Sequence, residues 1–344
     1  MADMTDTIPA GDDRSDASDA DGGDRDRGQL VLVAGLALAV VLVALVLVTN
    51  TAIYTENLAT RDDGVGETEA LGYRAAVVDG VGGIVDRENA AEYDDRAALK
   101  ANVSAGVAEL DSLLRESAAR RSASATVNRS AKTYTGGVLV RQTNGSREFD
   151  SAAGPADWTL LYDTNRTRAF EATVENSSLA TTNASAVDGA FTVVVASNSS
   201  TEAWRAYVYE NDSTGDIAVA VRSAGESSAT QVCSVDAANA TLGFTEGSLG
   251  GESCPGLDWR EGVTTSYDLK YRNGSNARGT YNLTVRGTRD ILETSSLNNG
   301  TATDDPDSPY YVPAVYAVRL PITYETNELE YRTTVRVAPG ERDA

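Results

Sequence analysis

The 344-residue chain carries 51 Asp and Glu against 29 Lys and Arg, a formal net charge of −22, and no histidine. That length allows one membrane segment with one or two folded domains, and so acidic a surface repels nucleic acid, which is excluded as a partner. The missing imidazole removes the commonest general base and metal ligand and every His-based triad, and two cysteines are too few for a Cys-based zinc site; the composition points to no enzyme, no metal and no cofactor.

Residues 1–28 form an acidic leader, with nine Asp against Arg14, Arg25 and Arg27. An uncharged run of Leu, Val and Ala from Leu30 to Val48 follows, inside a segment taken as 29–54. A helix of roughly 20 residues crosses ~30 Å of hydrocarbon, so this segment is expected to span a membrane once. A secretory leader has an apolar stretch of only about 7–15 residues and a small-x-small cleavage site. "VTNTAIYTENLATR" offers no such site, so the segment stays in the protein. Arg25 and Arg27 favour a cytoplasmic N-terminus, although Arg61 on the far side weakens the contrast.

Residues 55–125 read as a helical stalk. Leu99, Val103, Val107, Leu110 and Leu114 recur at helical spacing on one face, which is expected to pack within the molecule rather than on a neighbouring subunit. "DGVGGIVD", Asp79 to Asp86, has three Gly and predicts a break between two helices.

Residues 131–338 change to short β-branched and aromatic runs, about ten candidate strands, ahead of a tail at 339–344. Tyr267, Leu269 and Tyr271 alternate with polar residues, as do Tyr281, Leu283 and Val285, which puts Asn282 on the solvent side. Tyr316, Val318, Leu320, Ile322 and Tyr324 face Leu329, Tyr331, Thr333, Val335 and Val337 in a predicted hairpin, where Pro321 suggests an edge or a bulge. "REFDSAAGPADW" reads as a loop. Trp158, Phe191, Trp204 and Tyr207 read as core or rim rather than a sugar platform. The fold class expected is α+β: a transmembrane helix, a helical stalk and an antiparallel, sandwich-like β-rich ectodomain.

Asparagine in an Asn-x-Ser/Thr acceptor occurs twelve times, at Asn102, Asn128, Asn144, Asn165, Asn176, Asn183, Asn198, Asn211, Asn239, Asn273, Asn282 and Asn299. Chance predicts about three or four in such a composition, and all twelve follow the apolar segment. The bland reading is a Ser/Thr/Asn-rich chain; the favoured one is an N-glycosylated domain outside the cell. Cys233 and Cys254 agree, because an isolated pair persists as a disulfide only in an oxidising compartment. Asp304, Asp305 and Asp307 in "TDDPDSPYY" lack EF-hand spacing and read as a solvated acidic loop rather than a Ca²⁺ site. The glycines at 64, 66, 80, 82 and 83 make neither a Rossmann fingerprint nor a P-loop, and Ser253 lies in no nucleophile elbow.

"DRDRGQLVLVAG", an Arg-Gly-Gln directly before a long apolar helix, resembles the class III signal of archaeal type IV pilins. The resemblance covers about thirty residues and implies cleavage between Gly28 and Gln29, with the apolar helix kept as an anchor and later as the core of a filament. Many pilins have Glu at the fifth mature position, where this chain has Val33. "NTAIYTENLATR" also looks like a recurrent type of haloarchaeal pilin-like membrane protein. The acidic, Lys-poor composition, with Lys100, Lys132 and Lys270 alone, resembles proteins of salt-loving archaea.

The sequence therefore predicts a single-pass cell-envelope glycoprotein, N-terminus cytoplasmic and C-terminal domain extracellular. Its role would be structural or adhesive: a minor pilin or filament-associated subunit, with the membrane and other pilin-like subunits or surface-layer proteins as partners. The alternative is an uncleaved, membrane-anchored surface binding protein; a surface hydrolase using paired carboxylates is the remote third.

Overall fold

The structure, a computed structural model, describes residues 65–197, 203–259, 266–300 and 308–341. The leader, the apolar segment and the Asp304–Asp307 loop lie outside the described residues. Among the described residues two helices come first, α1 (Val65–Ala90) and α2 (Arg96–Ala119). Strands β1 (Ser124–Val127), β2 (Thr133–Gln142), β3 (Trp158–Thr164), β4 (Thr167–Glu175), β5 (Thr181–Thr182), β6 (Phe191–Ser197), β7 (Ala203–Asn211) and β8 (Ile217–Arg222) follow. The remainder are β9 (Thr230–Val235), β10 (Asn239–Gly243), β11 (Ser248–Leu249), β12 (Glu252–Ser253), β13 (Tyr267–Arg272), β14 (Gly279–Arg286), β15 (Asn298–Asn299), β16 (Tyr310–Glu325) and β17 (Glu330–Val337).

The strands form two sheets, antiparallel except for the two-residue pairings of β5 with β7 and β15 with β16. The larger runs β1-β16-β2-β14-β4-β10-β11-β12, with β15 and β17 also on β16; the smaller runs β3-β13-β6-β7-β8-β9, with β5 on β7. This is the expected α+β, sandwich-like architecture. Alternation makes it: Tyr267, Leu269 and Tyr271 are buried while the residues between them are not. One face of each sheet supplies a shared core, with Phe149, Phe170, Phe191, Trp158, Trp204, Trp259, Tyr271 and Tyr281 among its members. Trp158, Phe191, Trp204 and Tyr207 are all buried, as core residues.

The C-terminal hairpin has the expected register: Val318 opposite Val337, Leu320 opposite Val335, Ile322 opposite Thr333 and Tyr324 opposite Tyr331. Pro321 is not at an edge, since β16 is paired on both sides. The Pro321 carbonyl accepts from Asn128 N, so its side of the strand faces the turn between β1 and β2, where a missing N–H breaks no ladder.

The helices cover the β1-β16-β17 end of the larger sheet. Ala70, Tyr73, Val77, Val81 and Val85 of α1 and Leu99, Val103 and Val107 of α2 share a second core with Val318, Leu320, Ile322, Tyr324, Val335 and Val337. The α2 stripe thus packs within the molecule, with Leu110 and Leu114 half-buried beside it.

The predicted break at Asp79–Asp86 is corrected: α1 runs through it. A Cβ at Gly80 would lie 2.7 Å from Leu110 of α2, and one at Gly106 would lie 2.9 Å from Ile84. Gly80 and Gly106 therefore let the helices approach closely, at about 1 kcal/mol each in lost propensity. The turn falls instead at Ala91–Asp95, where the Asp95 carboxylate accepts from Ala97 N and Ala98 N and caps α2.

Candidate functional site

Cys233 and Cys254 form a disulfide, with Cα atoms 6.0 Å apart. Cys233 is on β9, the last strand of the smaller sheet, and Cys254 follows β12, the last strand of the larger. The bridge closes the sandwich along that edge, and its 21-residue separation corresponds to about 3 kcal/mol of loop-closure entropy.

Gly28, Gln29 and Asn198 lie outside the described residues. None of the eleven described acceptor asparagines is buried: Asn102, Asn128, Asn165, Asn239 and Asn299 are exposed, and Asn144, Asn176, Asn183, Asn211, Asn273 and Asn282 half-buried. Their amides differ. Asn102, Asn176, Asn183 and Asn211 each donate one hydrogen bond from Nδ2, which a glycosylated amide can keep through its remaining N–H. Asn273, at φ 54°, donates from Nδ2 to both Asp188 O (3.0 Å) and Ala190 O (2.9 Å), which uses both hydrogens.

A groove of about 350 Å³ opens on the outer face of the larger sheet, between the C-terminal end of α1 and the chain after β17. Asp86, Arg141, Glu171, Glu246, Asn282 and Thr284 are among its lining residues. Period-two alternation from Phe170, Ala172 and Val174 would put Arg168 in the sandwich core. The register slips by one residue on β4 opposite Asn282 and Thr284, with Ala169 at φ 49°, and this bulge sends Arg168 to the groove side. A second slip, at Tyr316 on β16, leaves main-chain carbonyls for Arg168 to bind.

Arg168 is 1 % exposed. Its Nε donates to Tyr316 O (3.0 Å) and Nη2 to Val315 O (3.1 Å); Nη1 donates to Pro339 O and to Asp86 (3.3 Å). One side chain thus ties β4 to α1, to β16 and to the C-terminal segment. Burial lowers the Arg168 pKa, opposed by Asp86, and burial raises that of Asp86 against the pull of Arg168. Arg141 is likewise engaged, by Glu92, which also accepts from Tyr310 Oη (2.8 Å). Glu171 and Glu246 remain as carboxylates in the groove, and among the described residues that line it none is Ser, Cys, Lys or Tyr. The arrangement offers hydrogen-bond acceptors to a polar ligand.

Sequence reasoning missed Arg168, because parity with Phe170 assigns it to the sandwich core and only the bulge at Ala169 turns it to the other face. The buried carboxylates among the described residues are Glu88 and Asp111, on different helices. Glu88 accepts from Arg87 and Tyr93; Asp111 accepts from Val127 N (2.9 Å) and pairs with Arg115 (2.8 Å), fastening β1 to α2. Among the described residues no cluster of His, Cys, Asp or Glu is placed to hold a metal ion, and no helix is long and apolar enough to cross a membrane.

Residues 24–154 match the model of a family of unknown function, DUF7261. The matched stretch is less than half of the chain and holds the apolar segment, α1, α2, β1 and β2. No curated protein and no solved structure matches.

Proposed function

We propose that the chain is a single-pass envelope glycoprotein whose β-rich head stands outside the cell, in a structural or adhesive role resembling that of pilin-like surface subunits. The observation that carries this reading is the distribution of acceptors: all twelve follow the apolar segment, and none of the eleven described ones is buried. The Cys233–Cys254 bridge supports an oxidising compartment. The family match supports a division of labour, since it begins at Asp24, just before Arg27-Gly28-Gln29, and stops before β3. On this reading the shared part anchors the molecule and the rest of the sandwich varies with what it meets.

Glycopeptide mapping of the full chain from its native membrane tests the placement. Sugar is expected at exposed acceptors such as Asn128, Asn165, Asn239 and Asn299, and none at Asn273; a chain without sugar anywhere contradicts the reading. Mapping the N-terminal peptide separates its two forms. A mature end at Gln29 favours the pilin-like one, and an intact Met1 region favours an uncleaved surface binding protein.

A further inference from the structure

Five buried side-chain atoms have no hydrogen-bond partner among the described residues and belong to residues at one end of the sandwich: Gln142 Oε1, Arg147 Nε, Ser151 Oγ, Tyr271 Oη and Tyr281 Oη. Gln142, Ser151, Tyr271 and Tyr281 are at most 2 % exposed. Gln142 of β2 and Tyr281 of β14 are register partners in the larger sheet. Tyr271 comes from the smaller sheet, its ring 5.3 Å from that of Tyr281 and perpendicular to it, and both rings lie against Phe149.

The loop between β2 and β3 folds over this end. Gln142 Nε2 donates to Arg147 O (3.2 Å), Glu148 O (3.2 Å) and Gly279 O (2.9 Å), and Arg147 Nη2 donates to Ser151 O (2.9 Å). Three carbonyls around Nε2 fix the orientation of the Gln142 amide, so its Oε1 is an acceptor that cannot be exchanged for a donor. Arg147 Nε can only donate, and the three hydroxyls can do either.

Leaving five buried polar groups unsatisfied would cost an amount comparable with the net stability of a whole domain. A mixed set of one fixed donor, one fixed acceptor and three hydroxyls suits water, which supplies both functions. An anion would oppose Gln142 Oε1, and a cation would oppose Arg147.

We propose that this end of the sandwich binds a small cluster of ordered internal water molecules, bridging Arg147 Nε and Gln142 Oε1 through the hydroxyls of Ser151, Tyr271 and Tyr281. The loop from Thr143 to Asp157 is then a hydrated plug. Burial pushes both tyrosine pKa values far upward, so the phenols remain donors over the physiological range. This site does not depend on where the molecule resides.

Thermal unfolding of the full chain in detergent reads the proposal through the sign of one change. With bridging water, Tyr281→Phe strips a partner from the cluster and lowers Tm by about 2–4 °C; a dry, unpaired hydroxyl is better removed, and Tm would rise. Ser151→Ala provides a second variant, whose effect together with Tyr281→Phe is expected to be non-additive. A structure of the full chain that resolves solvent should show a water peak within hydrogen-bond distance of at least two of the five atoms. A rise in Tm, additive effects or the absence of any such peak overturns the proposal.

Discussion

The two faces of the larger sheet are held by different physics. Towards the smaller sheet the contacts are aromatic and nearly all apolar: Phe170 stacks on Phe244 at 4.5 Å, and Phe149 meets Phe191, Tyr271 and Tyr281. Towards the helices the apolar residues are smaller, and side-chain hydrogen bonds fasten the layer. Asn89 exchanges two with Val315, Arg96 donates to Ala314 O and Gly137 O, Asp111 holds Val127, and Arg168 binds four groups. The sandwich is held by extensive buried apolar area, whereas the helical layer relies more on individual side-chain hydrogen bonds, each worth about 1 kcal/mol net. The difference predicts that the helices and the C-terminal segment loosen before the sandwich does.

Phe170→Ala should have the largest effect. Removing a fully buried ring costs about 3–5 kcal/mol, and chemical denaturation should show one cooperative loss that includes both layers. Arg168→Met keeps the volume but strands two main-chain carbonyls, Tyr316 O and Pro339 O, each at about 1–3 kcal/mol less whatever water recovers, while Val315 O keeps its bond from Asn89. Hydrogen exchange in this variant should rise in the C-terminal turns of α1 and after β17 while β6 to β8 stay protected. Uniform loss of protection would erase the contrast between the layers.

The glycines sharpen it on a smaller scale. Gly80→Ala puts a methyl group into Leu110 and should cost about 1–3 kcal/mol. Gly72→Ala, exposed on the same helix with nothing within 4 Å, should stabilise by up to about 1 kcal/mol. Opposite signs in thermal unfolding are the expected outcome.

The smallest effect is electrostatic. Burial alone would raise the pKa of Glu341, but hydrogen bonds from Arg336 and Arg166 outweigh it and hold the carboxyl below its usual 4.5. A carboxyl with a depressed folded pKa adds stability above its unfolded value and loses it as pH falls through the folded one. Glu341→Gln should therefore flatten the loss of stability below pH 4.5, measured by acid titration of the unfolding midpoint, and leave the neutral plateau lowered.

What was legible in the sequence follows the same division. The hairpin of β16 and β17 could be read residue by residue, because both strands alternate and each bears one buried face. The stripe from Leu99 to Leu114 was legible for the analogous reason on a helix. The continuity of α1 was not: whether Gly80 breaks a helix or admits a neighbour depends on Leu110, thirty residues away, and local propensity carries no information about it. Arg168 was hidden by the bulge at Ala169, which reverses the face that period-two alternation assigns. The groove depends on that bulge and on the chain after β17, so it too was invisible.

The central claim, that the folded unit stands on the exterior face, is tested most directly by adding protease to intact cells that naturally make the protein. The account predicts that the β-rich head, followed by an antibody or by mass spectrometry, is trimmed from intact cells as completely as from lysed ones. A head untouched until the cells are broken would contradict it.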